Sequence, residues 1–388
     1  MAVSEEKRNN WRSASRTSMQ QVAKRAGVAP SSVSRVLSGH PNVSAVMRNR
    51  VIDAVAALGY EPDLLAQSLR RGETLTVGFV VGDISNPVMS EIALGAERSL
   101  RPAGYSMLLA NSIDNAELDA KHIRLFSQRR VDGLLLSISN ENRQETIEAV
   151  DKAGLPVVLI DRDLRVSGPT SAVLVDHGMG ITEAVRHLAS LGHRRISLVN
   201  GPASLRPARE RAASFRQISL QLGLLCSVRS GRINAEHGER ATANLLAQAE
   251  PPTAIVVGSN QILVGVLREL RRAGKRIPND ISLITCDKAP LAEFLVPPLA
   301  TIDRVPYEIG VIAASLMLEL LAGTSPRTQT VSTSYVARQS VGPVSLTSNL
   351  GQKKSGTPEH SVEPESDVFV AGKGSPPESA LSTNANSA

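Results

Sequence analysis

Three serines and one arginine lie within five consecutive residues near the start of the chain. They are Ser31, Ser32, Ser34 and Arg35, in the segment PSSVSRVL. Hydroxyl groups and a guanidinium can hydrogen-bond phosphate oxygens and the edges of bases. This cluster therefore favours contact with a nucleic acid. The alternative is an ordinary helical hairpin with a polar exterior.

Two helices joined by a tight turn would present these side chains on one surface. Val22, Ala23 and Ala26 recur at the spacing of one helical face, and Gly27 supplies the positive φ that the turn needs. Pro30 suits the first position of the second helix, because its φ is fixed and it has no amide hydrogen. The predicted buried face of that second helix consists of Val33, Val36 and Leu37.

A third helix is predicted from Ala45 to Leu58, capped by the hydroxyl of Ser44 and ended by Gly59. Its predicted apolar face consists of Val51, Ile52, Val55, Ala56 and Leu58. Its predicted exposed residues are Arg48, Asn49, Arg50 and Asp53.

The net positive charge of the chain lies in and around these helices. The 388 residues carry a formal charge of +6, and residues 1–71 hold eleven Lys and Arg against five Asp and Glu. The remaining residues hold equal numbers of the two kinds. A basic head on a neutral body is typical of a protein that binds a polyanion. The alternative is a basic tail without function, which the ordered periodicity from Met19 onward disfavours.

Composition and spacing disfavour several other classes. The chain has two cysteines, Cys226 and Cys286, so a disulfide framework is excluded. No Cys/His cluster has the spacing of zinc ligands. We expect no metal and no cofactor. No Gly-rich phosphate loop or Ser/His/Asp ordering indicates an enzyme. We find neither a secretory signal nor a run of about 20 apolar residues, so the expected location is the cytoplasm.

From Leu75 onward, apolar strand-like runs alternate with helical patterns. LTVGFVV, PVVLI, TAIVVG and DISLIT are such runs, and QILVGVLRELRRAG is one of the helical segments. Continuous apolar strands interleaved with helices indicate parallel sheets covered on both faces. There are too many units for one sheet, so we expect two α/β lobes. A small-molecule site is expected between them, beyond the carboxyl ends of the strands.

The order of these motifs resembles the lactose/galactose-repressor family of bacterial transcription regulators. VAKRAGVAPSSVSRVLSG resembles the signature of the family's DNA-binding head. VGFVVGDISNPVMSEIALGAE, LASLGHRRISLVNGP and DISLITCDKAPLAEFLVPPLATI resemble its effector-binding core. The resemblance runs from about Ser18 to about Gly342. It implies an all-α helix-turn-helix head, followed by a two-lobed, periplasmic-binding-protein-like α/β core with parallel sheets.

The resemblance also implies a function and a division of the chain. The expected protein is a homodimeric, sequence-specific DNA-binding regulator, most simply a repressor. Its expected effector is a sugar, a sugar acid or a related metabolite. The expected segments are a disordered arm (1–17), a helix-turn-helix domain (18–60), a hinge helix (61–73), the two-lobed core (74–344) and a disordered tail (345–388). Lobe 1 is expected to combine 74–175 with 304–333, and lobe 2 to combine 176–303 with 334–344.

Position by position, the resemblance implies a set of residues that contact operator DNA. They are Pro30, Ser31, Ser32, Ser34, Arg35, Asn42, Ala66 and Leu69. Arg35 can make a bidentate contact to guanine or a contact to phosphate, and only the first specifies sequence. Leu69 matches a wedge that enters the minor groove, with Ala66 allowing close approach. The alternative for Leu69 is ordinary linker packing.

A second set of positions matches the family's polar ligand anchors. They are Asp161, Arg211 and Asp287, with Ser259, Asp83 and Asn86 as weaker candidates. Carboxylates and a guanidinium can bind hydroxyls or an acid group. Arg209 competes with Arg211, for which a surface salt bridge is the alternative. For Asp83 and Asn86, a turn-forming role is at least as strong an alternative as ligand contact.

The sequence departs from the family pattern at several positions. Gln21 stands where Asp is usual, and Ala29 replaces a serine that would cap the second helix. Ile233 stands where sugar-binding relatives often have an aromatic platform, and Ser214 replaces a glycine. These changes leave the DNA role intact and leave the class of effector open. Arg211, with Arg209 nearby, favours a sugar acid or another anionic metabolite. The competing class is a ligand-binding receptor without DNA function, like the periplasmic sugar receptors, which would have an export signal and no basic head.

Overall fold

A computed structural model describes residues 17–60, 72–287 and 294–344. The chain divides into two compact units between Thr74 and Leu75. The predicted arm up to residue 16, most of the predicted hinge helix and the predicted tail lie outside the described residues. Ala66 and Leu69 are among the residues that are not described.

The first unit contains α1 (Met19–Ala26), α2 (Pro30–Leu37) and α3 (Ala45–Leu58). The start of α1 is a capping box, because the Ser18 hydroxyl accepts from the Gln21 amide and the Gln21 side chain accepts from the Ser18 amide. As predicted, Gly27 ends α1 with a φ of 64°, and the Ser44 hydroxyl caps α3. A side chain at position 27 would also displace the flexible guanidinium end of Arg50.

The core of this unit confirms the predicted faces of α1 and α2 and corrects that of α3. Its buried residues are Val22, Ala23, Ala26, Val33, Val36, Val51, Ala54 and Tyr60. The prediction for Ile52 and Ala56 was wrong, since both are exposed, Ile52 by 51%. Val51, Ala54 and Leu58 follow the three- and four-residue spacing of one face. Ile52 lies about 100° further round the helix from Val51.

The second unit is built from alternating strands and helices. Its first elements are β1 (Thr76–Val81), α4 (Pro87–Leu100), β2 (Ser106–Asn111), α5 (Ala116–Gln128), β3 (Gly133–Ser137), α6 (Gln144–Ala153), β4 (Val157–Ile160) and β5 (Thr170–Asp176). Next come α7 (His177–Ser190), β6 (Arg195–Asn200), α8 (Arg206–Gln221), β7 (Leu225–Ser230), α9 (Ala235–Leu246), β8 (Ala254–Val257), α10 (Asn260–Arg272), β9 (Ser282–Cys286) and β10 (Ala300–Asp303). The last are α11 (Pro306–Leu321), β11 (Thr328–Ser332) and β12 (Ser334–Val336). A 3-10 turn at Arg101–Ala103 follows α4.

The strands form two six-stranded sheets, which confirms the predicted two-lobed α/β core. The first sheet has the order β11-β5-β4-β3-β1-β2, and its neighbouring strands are parallel. The second has the order β12-β10-β9-β8-β6-β7, and only its edge strand β12 runs antiparallel to its neighbour. The strands at the centre of both sheets are buried along their length, because helices cover both faces.

The chain passes between the two sheets at three neighbouring places. The first follows β5, the second follows β10 and the third joins β11 to β12. The Thr333 hydroxyl in the third crossing donates to O of Asp176 (2.6 Å) and accepts from N of Gly180 (3.0 Å), both in the first. Gly180 also lies against Ile302, where a side chain would collide. These contacts tie the crossings together and fix where the carboxyl ends of the two sheets face one another.

Candidate functional site

The surface of α2 carries the side chains that we predict to contact DNA. Ser31 and Arg35 are exposed, and Ser32 and Ser34 are half-buried. Pro30 occupies the first turn of α2, and Ala29 before it provides no side-chain cap, as expected from its residue type. Asn42 is exposed in the loop that follows, where its amide donates to His40 Nδ1 at 3.3 Å.

Two aspartates lie at equivalent positions of the two lobes, each directly after a buried strand. Asp161 follows β4 and Asp287 follows β9, and they are 3% and 5% exposed. Both adopt a positive φ, 53° and 68°. The backbone N–H of Asp161 donates to O of Val173 on β5 at 2.8 Å, and that of Asp287 donates to O of Ile302 on β10 at 2.9 Å. A left-handed backbone is strained for a residue other than glycine, and such strain is frequent at functional sites.

Arg304, in the second crossing, joins these two aspartates. Its Nη1 lies 3.1 Å from Asp161 Oδ2, and its Nε and Nη2 lie 2.6 and 3.2 Å from the two oxygens of Asp287. Asp161 also accepts from Arg206 Nη1 and His177 Nε2, both at 2.8 Å. One arginine therefore neutralises a carboxylate from each lobe.

The ionisation of this cluster follows from its burial and its charges. Burial alone would raise the pKa of Asp161, but His177, Arg304 and Arg162 overcome this and hold the pKa well below its usual range. The pKa of Asp287 is also lowered, because Arg304 and Arg211 outweigh burial. Burial lowers the pKa of His177 to about 4 despite the nearby Asp161. At neutral pH both aspartates are therefore charged and His177 is neutral.

Arg162 and Arg211 are two further buried arginines at the same place, 8% and 6% exposed. Arg162 donates to the carbonyls of Ile138 (2.6 Å) and Asp161 (2.9 Å). Arg211 donates from Nη1 to O of Gly258 at 2.9 Å, and its buried Nε has no partner. Among the described residues, neither guanidinium has a carboxylate oxygen within 4.0 Å.

The three weaker candidates occupy loop and cap positions around the cluster. The Ser259 hydroxyl caps α10 by accepting from N of Ile262, and the Asn86 side chain caps α4 by accepting from N of Val88. The Asp83 carboxylate accepts from the Ser85 amide and hydroxyl, and these hydrogen bonds stabilise a turn at residues 83–85. Asp83 also accepts from Gln261 Nε2 of the other lobe at 2.6 Å.

The described residues line two adjoining cavities between the lobes. A cavity of about 70 Å³, the inner cavity, is lined by Asp161, Arg211, Asp287, Ser259 and Asn86, together with Arg162 and Arg304. A larger one of about 880 Å³, the outer cleft, is lined by Asp83 among others. Leu205 and Ile233 line both, so the two spaces adjoin. The structure therefore brings five of the six predicted ligand residues to the inner cavity and places Asp83 on the outer cleft.

The alternative position Arg209 has a different role from Arg211. Its Nη2 lies 2.7 Å from Glu141 Oε2 and 3.8 Å from Asp163 Oδ2, and its side chain is 38% exposed. Glu141 also accepts from the Arg206 amide at 2.8 Å. Because Glu141 and Asp163 belong to the first lobe and α8 to the second, Arg209 bridges the lobes rather than lining the inner cavity.

Sequence reasoning missed Arg162, Arg206, Arg304 and His177 as members of this cluster. A signal was present for two of them, since Arg162 and Arg304 each stand directly after an acidic residue at the end of an apolar strand. Arg206 and His177 begin helices, and only the tertiary fold brings them to Asp161.

Neither a metal site nor a membrane-spanning helix is present in the part of the chain that the structure describes. No group of three or more His, Cys, Asp or Glu there is arranged to hold a metal ion. No helix among these same residues has the length and apolar character needed to cross a membrane.

A basic helix-turn-helix head and a two-lobed core with a polar cleft define a ligand-responsive DNA-binding protein. Comparison with known families agrees with this class. Residues 18–63 match the model for bacterial regulatory proteins of the lacI family, and residues 185–341 match a periplasmic binding protein-like domain. The chain belongs to the LacI family.

Individual relatives match this chain over most of their length. The chain is 32% identical over 315 residues to the ribose operon repressor of Escherichia coli K12, covering 80% of this chain and 94% of that protein. It is 30% identical over 308 residues to the HTH-type transcriptional repressor CytR of the same strain, covering 79% and 90%. Among solved structures, the lac repressor dimer bound to operator and the anti-inducer ONPF has a TM-score of 0.75 at 27% identity, covering 84% of this chain and all of that one.

Proposed function

We propose that this chain is a cytoplasmic repressor that binds operator DNA as a homodimer and responds to a small molecule held between its two lobes. The names of the ribose operon repressor and CytR support repression as the outcome of DNA binding. No catalytic role is assigned to the chain, since the relatives are repressors.

The geometry of α1 and α2 carries the proposal. The two helices meet at Gly27, whose left-handed φ sets the turn, and α2 presents Ser31 and Arg35 to solvent. The positive excess of the whole chain is concentrated in residues 1–71. A ligand receptor without DNA function would have no need for this concentration of positive charge.

Two edge strands support a second copy of the chain as partner. β2 and β7 lie at the edges of the two sheets, where strands have unpaired backbone groups. Leu108 and Leu109 on β2 are 43% and 40% exposed, and Leu225 on β7 is 46% exposed. Apolar side chains in such positions favour burial against another chain. The similar lac repressor structure is described as a dimer bound to operator.

The effector acts on the angle between the lobes in this proposal. Arg304 and Arg209 each contact carboxylates across the cleft, and Gln261 donates to Asp83 across it. A ligand that prefers one lobe angle shifts the equilibrium toward that angle, and this changes operator affinity because the operator also prefers one angle. By linkage, the operator changes the affinity for the ligand by the same factor.

Selection of bound duplexes from a random library with the full-length chain tests the proposal. We expect a two-fold symmetric consensus with half-sites about one helical turn apart. A chain that starts at Gly72 is the control and should not enrich any sequence. Binding without sequence preference at low salt, or equal enrichment by the truncated chain, would contradict the proposal.

A further inference from the structure

The second lobe carries an excess of positive charge at the end opposite to the two cavities. Residues 268–280, which contain the last turn of α10 and the loop after it, hold five Lys and Arg against two Asp and Glu. Because α10 starts after the carboxyl end of β8 and leads to the amino end of the parallel strand β9, this segment lies at the amino ends of the strands. The cavities lie at the carboxyl ends, so the excess belongs to a separate surface.

The acidic groups at this end are already paired, and three cations are not. Glu269 Oε2 lies 2.8 Å from Arg272 Nε, and Asp280 Oδ2 lies 3.0 Å from Arg276 Nε. Among the described residues, three exposed cations have no carboxylate oxygen within 4.0 Å. We call them the distal cations: Arg194, Arg271 and Lys275. The negative end of the α10 dipole favours one of them, and the other two lie outside the helix.

The last residues that the structure describes are fixed at this same end. The carbonyl oxygen of Gly342 accepts from His193 Nε2 at 3.0 Å and from Ser282 Oγ at 3.3 Å. Gly342 also lies against Pro278, since a side chain at position 342 would come within 3.2 Å of the proline ring. His193 precedes β6 and Ser282 begins β9, so Gly342 lies at the amino ends of both strands.

The chain therefore continues beyond Val344 from a point next to the distal cations. N of Val344 donates to O of Leu191 at 3.2 Å. Leu191 precedes Arg194 by three residues, and Pro278 follows Lys275 by three residues. Three residues span at most about 11 Å, so both cations lie close to the point where the described chain ends.

The sequence after Val344 contains a segment of opposite charge. Residues 359–367, EHSVEPESD, hold four Asp and Glu and no Lys or Arg. Glu359 follows Val344 by fifteen residues, and a coil of that length has an end-to-end distance of about 20 Å. Pairs of exposed charges are individually weak, but a tethered segment has an effective concentration in the millimolar range. The acidic segment is therefore able to reach the distal cations and to bind them at low ionic strength.

We propose that residues 359–367 bind the distal cations of their own chain and neutralise this face of the second lobe. Charge complementarity and the position of Val344 beside the cations carry the proposal. The helix-turn-helix head is also basic, but the acidic segment is tethered next to the distal cations. The docking is a property of the two-lobed unit, so it does not depend on the proposed operator-binding function.

The first test is zero-length cross-linking of the full-length protein with a carbodiimide, which joins a carboxylate to a lysine amine that it contacts. Mass spectrometry should identify Lys275 linked to residues 359–367. Lys121 and Lys152, exposed on α5 and α6, are the internal controls and should give little of this product. Absence of the link at Lys275, or equal yields at the three lysines, would overturn the proposal.

The same experiment distinguishes the other possible arrangements. A dominant link to Lys24 would place the acidic segment on the head and would contradict docking at the distal cations. In an equilibrated mixture of unlabelled and heavy-isotope-labelled chains, the Lys275 product should contain only peptides of the same label. Mixed products in statistical proportion would show that the segment binds a second copy of the chain, which would refute docking within one chain.

The second test measures whether the link depends on the charge of the distal cations. Arg194→Gln with Arg271→Gln should lower the yield at Lys275 roughly three- to tenfold. Arg124→Gln with Arg129→Gln, at exposed arginines of the first lobe, is the matched control and should leave the yield unchanged. In about 1 M sodium chloride, where the Debye length is about 3 Å, the unaltered chain should also lose most of the product, whatever the folding of the variants. Equal yields in the two double variants, or a yield that does not fall with salt, would contradict the proposal.

Discussion

Replacing Arg304 by methionine should destabilise the core strongly, because this side chain neutralises two buried carboxylates. The side chains of Arg304, Asp161 and Asp287 are 7%, 5% and 6% exposed. After the replacement, Asp161 retains Arg206 and His177, but Asp287 has no cation within 4.0 Å among the described residues. The change therefore leaves the buried Asp287 carboxylate without a cation in contact, and Arg211 acts on it only from a longer distance.

The expected size follows from that single unpaired charge. Removing one partner of a buried pair costs about 3–5 kcal/mol in the free energy of unfolding. For a unit of this size, that loss lowers the thermal midpoint by roughly 10 °C. The measurement is urea unfolding of the full-length protein at pH 7, followed by far-UV circular dichroism, with the thermal midpoint as a second readout.

A second variant isolates the cause. Arg304→Met with Asp287→Asn replaces the unpaired carboxylate by a neutral amide, and it should recover at least half of the lost free energy. Arg276→Met, at an exposed pair, should leave the unfolding curve unchanged within error. If the double variant is no more stable than Arg304→Met alone, the loss comes from packing rather than charge, and an unpaired Asp287 does not explain it.

Three further predictions concern pH, the second helix and DNA sequence. His177 has a pKa of about 4 in the folded protein and about 6.5 in the unfolded chain, so the unfolded chain binds more protons between these pH values. The free energy of unfolding should therefore fall by up to about 3 kcal/mol as the pH drops from 6.5 to 4. His177→Asn should flatten that part of the stability profile, measured by urea unfolding at each pH. Ala29→Ser should supply the missing N-terminal cap of α2 and raise the free energy of unfolding of the helix-turn-helix head by about 1 kcal/mol. The measurement is the thermal midpoint of the unfolding of the head, which should rise. An unchanged midpoint would show that the missing cap does not limit the stability of the head. If Arg35 binds guanine, Arg35→Ala should weaken operator binding by roughly 1–3 kcal/mol, with the loss confined to one base position of the selected operator. An equal loss of affinity on every sequence would assign Arg35 to a phosphate contact instead. Arg129→Ala, at an exposed arginine of the two-lobed unit, is the control.

The amino-acid sequence by itself determined the local structure and the class of this protein. Gly27 at a left-handed turn, Pro30 in the first turn of α2 and Ser44 as a cap are set by residues within a few positions of one another, so local rules predict them. The alternation of apolar strands and helices likewise indicates parallel sheets, because a strand covered on both faces must be apolar throughout. The family resemblance placed Asp161, Arg211 and Asp287 among the ligand positions.

The tertiary structure decided which charges meet. Arg304 lies 143 residues from Asp161 and 17 from Asp287, and it contacts both because the chain crosses between the lobes three times at one place. Local pattern cannot show this, since a contact between distant residues depends on how the two sheets face each other. The same holds for α3, where Ile52 is exposed and Ala54 buried because the neighbouring helices, and not hydropathy alone, select the buried face.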